Sequence, residues 1–183
     1  MRNIIICCLF SAFYCLTSCS SGNKDEAATE KQNTIAHVDS LQKAMFDRKS
    51  MELDKNLAFK GIAAYKDFIQ KYPDDSLSAE YLFRLSDLSR AVGDNGKAIE
   101  YLGQICKTYP NYKKIPECIF LQGYYYQQFF NDTNSAKQYY KQLLSKYPSH
   151  PFADDAQALM SMFGKTDEQM IQEFEKKEAE KKR

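Results

Sequence analysis

The chain has 183 residues, enough for one domain of ordinary size with a usable core. Its 25 Lys and Arg against 24 Asp and Glu leave a net charge of +1, which gives no basic field for a nucleic-acid backbone. The two histidines, His37 and His150, stand far apart, so a His-x-x-x-His metal site is excluded.

The N-terminus reads as an export signal, with Arg2 ahead of an apolar run over residues 4–14 and then Leu16-Thr17-Ser18-Cys19. That run is well short of the roughly 20 residues needed to span a bilayer. Small residues ahead of a cysteine resemble the bacterial lipobox. The resemblance implies that residues 1–18 are removed and that Cys19 receives lipid as the first residue of the mature protein. Acyl chains there would hold the domain to a bilayer at ~0.8 kcal/mol per buried methylene. No large apolar residue occurs from 20 to 33, so residues 19–33 are expected to form a flexible tether. Within it, Lys24-Asp25-Glu26 resembles the acidic signals that send some lipoproteins to the cell surface. Ordinary solvated charge accounts for it equally well.

Past the tether, Ile35, Val38, Leu41 and Met45 fall at spacings of three and four, one apolar stripe of an amphipathic helix. Tyr72-Pro73, Tyr109-Pro110 and Tyr147-Pro148 then recur at intervals of 37 and 38 residues. A proline that stops a helix fixes the register of what precedes it. Twelve residues before each lie Gly61, Ala98 and Ala136; eight before, Tyr65, Leu102 and Tyr140; five before, Phe68, Ile105 and Leu143. Ahead of the last two such helices run Leu82-x-x-Leu85-Ser86-x-x-Ser89 and Ile119-x-x-Gln122-Gly123-x-x-Tyr126. The period predicts stacked helical hairpins, an all-α solenoid over residues 34–174.

These residues resemble the tetratricopeptide repeat: apolar, x-x, Leu, small, x-x, Tyr, then small, x-x-x, aromatic, and a closing proline. Two departures stand out. Large residues replace the usual second alanine of helix B, and about three extra residues follow each proline. The longer linkers, with Pro73, Ser76 and Ala79 and again Pro148, Pro151, Ala153 and Ala156, are similar to those of two envelope families. One is the lipoprotein of the outer-membrane β-barrel assembly machinery and the other the periplasmic coordinator of the Tol-Pal system, both helpers without catalysis. The resemblance implies a non-enzymatic scaffold without cofactor, anchored in the outer membrane of a Gram-negative bacterium and facing the periplasm more readily than the surface. Its partner would be a protein or peptide held in the groove lined by the first helix of each hairpin. The register assigns Glu80, Phe83, Asp87 and Arg90, then Glu117, Phe120, Tyr124 and Gln127, to that face. Phe83 and Phe120 are either anchors for a partner or filling between successive helices.

Of the six cysteines, Cys7, Cys8 and Cys15 would leave with the signal and Cys19 would carry lipid. Cys106 and Cys118 remain, either as a disulfide or as two buried thiols. No histidine flanks either one, and no catalytic motif occurs elsewhere. Asp74-Asp75 and Asp154-Asp155 stand at helix starts, where a carboxylate suits the positive end of the helix. At the far end, Gly164 suits the closing residue of a helix and Thr166-x-x-Gln169 a capping box. Met170, Ile171 and Phe174 are expected to cover the open edge of the stack, with residues 175–183 as a charged tail.

Overall fold

The computed structural model describes residues 22–46 and 53–181, and among them eight helices and no strand. The export signal and Cys19 lie outside the described residues. The helices are α1 (Gly22–Phe46), α2 (Lys55–Lys71), α3 (Ser76–Ala91), α4 (Asn95–Thr108), α5 (Ile115–Phe130), α6 (Thr133–Lys146), α7 (Phe152–Met162) and α8 (Asp167–Lys181). From α1 to α7 each helix packs chiefly on the next, and α5 also touches α7. The result is an α-solenoid in which α1, α3, α5 and α7 are the first helices of their hairpins.

Local chemistry sets the helix ends. Asp54, Asp75, Asp94 and Asp132 each accept a backbone N–H of the following turn, starting α2, α3, α4 and α6. The closing tyrosines adopt nearly one conformation: φ/ψ is −131°/59° at Tyr72, −124°/62° at Tyr109 and −137°/55° at Tyr147. Each donates its N–H four residues back, to Phe68, Ile105 or Leu143, and the following proline prevents continuation. Two tandem turns then carry the chain into the next helix. The N–H of Asp75, Tyr112 and His150 bonds to the carbonyl of Tyr72, Tyr109 and Tyr147, and the N–H of Ser78, Ile115 and Ala153 bonds three residues back again. The extra linker residues are therefore an ordered, repeated element.

The positions counted back from the prolines form the core. Tyr65, Phe68, Leu102, Ile105, Tyr140 and Leu143 are each at most 2% exposed, and burying a side chain of this size stabilises by roughly 1.5–3 kcal/mol. Hairpin closure depends on the small positions. Ser86 donates to the carbonyl of Ala98 at 2.9 Å, joining α3 to α4 backbone. At Gly123, an added Cβ would lie 2.8 Å from the Tyr140 ring.

Two expectations are corrected. The described part of the tether is helical: α1 begins at Gly22, and in its third turn Lys31 pairs with Asp75 while Lys71 reaches Glu30 at 3.3 Å. Nor does the far end of the chain cap the stack. Gly164 does turn left-handed, at φ 82°, and Thr166 and Gln169 exchange the two bonds of a capping box. The α8 helix that follows, however, packs closely on no other helix, leaving Ile171 and Phe174 exposed. Residues 175–181, expected as a tail, belong to it.

Candidate functional site

The inner face of the stack is built from α3 and α5, with the linkers of the tandem turns forming one edge. At that edge the residue two past each proline reaches back to the preceding first helix. Asp75 meets Lys31 of α1; Tyr112 donates its hydroxyl to Glu80 of α3 at 2.6 Å; His150 Nε2 stands 3.8 Å from Glu117 of α5. The three approaches recur one per hairpin, but only the first two are bonded, and Glu117 Oε2 is buried without a hydrogen-bond partner. Tyr109 adds a further backward link, donating to the carbonyl of Pro73 at 2.6 Å.

Glu80 gathers most of the charge. Besides Tyr112, its carboxylate accepts from Lys114 Nζ at 2.9 and 3.1 Å and pairs with Arg84 at 3.1 Å. Burial alone would raise this carboxyl, but the hydrogen bonds from Tyr112 and Lys114 outweigh it and hold Glu80 below its usual value. Around it opens a groove of about 840 Å³, lined by Glu80, Arg84, Tyr109, Tyr112, Lys113 and Lys114 among others. Such a volume lies within the range of ligand-binding clefts.

The residues assigned to the face from sequence divide into two groups. Phe83 is half-buried beneath the Lys114 ammonium, which lies 4.5 Å from its ring centre, and so packs behind the cation that lines the groove. Asp87 follows it, with its carboxyl raised by burial and partly brought back by Arg84 and Arg90. Arg90 is exposed at the end of the row, and its charge partly offsets the burial that raises the Tyr125 hydroxyl. On α5 the picture differs. Phe120 is 9% exposed and stacks on Phe152 of α7, ring centres 4.6 Å apart and planes 11° apart. It fills the space between first helices, so its assignment as a groove residue is corrected. Gln127 is committed to accepting the Tyr140 hydroxyl at 3.0 Å, as Gln42 accepts that of Tyr65 at 3.2 Å. Tyr124 is 36% exposed, its ring stacked beside Phe120. Of its neighbours, Tyr125 is the more buried and Tyr126 the less.

Sequence reasoning missed the linker residues Tyr109, Tyr112, Lys113 and Lys114. Their signal was the fixed offset of Asp75, Tyr112 and His150 from the prolines, hidden because the three residues share no chemistry.

Cys106 and Cys118 do come together. The half-buried Cys106 near the end of α4 and the wholly buried Cys118 near the start of α5 are free thiols bridged by the Gln122 amide, which donates to the Cys106 sulfur and to the Cys118 carbonyl.

The family model of the tetratricopeptide repeat matches residues 80–112 and 117–150. The fold is a tetratricopeptide-type α-solenoid. Each matched repeat begins and ends on the two members of one such pair, Glu80 with Tyr112 and Glu117 with His150. The match does not reach α1 and α2, although the shared Gln–Tyr bond gives them the hairpin register of α5 and α6. No curated protein matches the chain. Among the described residues no helix is long and apolar enough to cross a membrane.

Proposed function

We propose that this chain is a non-enzymatic scaffold that holds a protein or peptide partner against its inner face. It is tethered by lipid on Cys19 to the outer membrane of a Gram-negative bacterium, where it serves envelope assembly from the periplasmic side. Repeats of this type suit protein partners. The observation that carries the reading is the open groove around Glu80, edged by Tyr109, Tyr112 and Lys114, with Tyr124 exposed on the neighbouring first helix. Aromatic rings and arginines of this kind are the usual anchors of an interface. The anchor and the compartment rest on the lipobox resemblance and on the family likeness of the linkers.

In-cell photocrosslinking tests the partner. A photoreactive amino acid in place of Tyr124 is expected to give a discrete crosslinked band that the same probe at exposed Lys141 does not. No band from position 124, nor from the same probe at groove-lining Lys113, overturns the reading. Lipidation is tested separately: label from an alkynyl fatty acid is expected on the intact chain and absent from Cys19→Ala. The acidic run Lys24-Asp25-Glu26 favours a second reading, a surface-displayed lipoprotein that binds an external ligand. Protease added to intact cells removes the domain only in that case.

A further inference from the structure

We propose that Cys106 and Cys118 are a built dithiol that closes into a disulfide between successive repeats, linking α4 to α5. The proposal stands on the packing of these two helices and on neither the lipid anchor nor the groove.

Three features separate this pair from thiols that merely fill a core. First, the two cysteines meet across the seam between two repeats, where the packing of α4 on α5 lets one side chain, that of Gln122, bond both of them. Second, the two have unequal access. Cys106 is partly open to solvent, whereas Cys118 is fully enclosed, so a reagent from outside meets Cys106 first. Third, a buried amide is aimed at the pair. Gln122 is 3% exposed at a position held by Leu85 in the preceding repeat, and its Nε2 donates to Cys106 Sγ at 3.7 Å and to the Cys118 carbonyl at 3.2 Å. A buried amide in an apolar seam is costly unless it is bonded. Here its donor faces the sulfur that would carry negative charge.

The thiol energetics agree with this order. The hydrogen bond from Cys118 lowers the Cys106 thiol, burial opposes it, and Gln122 and the Lys146 charge lower it further. The bond to Cys106 and burial hold Cys118 high. Thiolate is the attacking species in disulfide exchange.

With glutathione disulfide as oxidant, the Cys106 thiolate attacks one of its sulfurs, breaking the S–S bond and releasing one glutathione thiolate. Cys118, giving its proton to solvent or to that thiolate, then attacks the Cys106 sulfur and expels the second glutathione. Two electrons pass from the protein thiols to the oxidant, which leaves as two molecules of glutathione.

The test uses the full chain isolated in detergent, reduced, then exposed to glutathione disulfide, alkylated in acid and digested with trypsin. Residues 98–107 joined to residues 115–137, lighter by two hydrogens than the separate peptides, are the expected product. Cys118→Ala and Cys118→Ser are both expected to lose it and to stop at Cys106 carrying one glutathione. Gln122→Met is expected to slow alkylation of Cys106 at neutral pH while leaving the helical circular dichroism unchanged. Recovery of both peptides separately alkylated from oxidised wild-type chain that keeps its helical spectrum overturns the proposal. So does capture of Cys106 only by cysteines other than Cys118.

Discussion

Gly123 and Gly96 are both helical glycines, yet they face opposite surroundings. An added Cβ at Gly123 meets the Tyr140 ring at 2.8 and 2.9 Å and Tyr139 at 3.2 Å, whereas at Gly96 nothing lies closer than 3.9 Å. Gly123→Ala is therefore expected to cost about 1–3 kcal/mol by overpacking, and Gly96→Ala to gain up to about 1 kcal/mol from helix propensity. Urea denaturation of the pair checks this, and equal effects would show that α5 and α6 can move apart freely. Glu80 supplies a pH prediction. Because its folded value is depressed below 4.5, it contributes stability above that pH and loses the contribution as pH falls through the folded value. Glu80→Gln is expected to lose less stability than wild type between about pH 5 and pH 3; equal losses in thermal melts would remove Glu80 from the linkage. At this scale the sequence was legible wherever a residue's role follows from its own periodicity. Ser86, Gly123 and Leu143 took their expected places for that reason. Phe120 was ambiguous, because whether it is filler or anchor depends on Phe152, more than thirty positions later.

Helix starts depend on single carboxylates. Asp132 accepts from the N–H groups of Asn134 and Ser135 at 3.1 and 3.0 Å and from the Ser135 hydroxyl at 2.6 Å. Asp132→Ala is expected to cost about 1 kcal/mol, read as a lower urea midpoint with an unchanged slope; no change would mean that α6 is fixed by packing alone. Helices α2, α4 and α6 were legible because a closing Tyr-Pro and an apolar period agree along each of them, and α3 and α5 because a small residue recurs at one place in their apolar period. The early turns of α1 were not. Residues 22–33 carry no apolar face, and their contacts with Lys71 and Asp75 come from distant parts of the chain. The misreading of α8 had the opposite cause. Met170, Ile171 and Phe174 have a credible apolar spacing, but no closing proline or small contact position fixes where that face must go.

For the molecule as a whole, the recurring Tyr-Pro pairs made the architecture readable, since one period repeated along the chain leaves little choice but a stack. Its groove was less readable, because the linkers that edge it are alike in backbone and unlike in sequence. Since α8 packs closely on no other helix, a chain ending after Lys165 is expected to melt within about 3 °C of the full chain, the equivalent of ~1 kcal/mol at this size. A larger drop would show that the helix supports the stack. The three approaches carry one more consequence. Every one of them reaches backward, from a linker to the helix before it, and Asp155 on α7, at the place equivalent to Glu80 and Glu117, is exposed with no later linker among the described residues to meet it. The array therefore has a polarity: each linker rests on the helix before it, so a chain that emerges N-terminus first presents each new hairpin to a helix already made.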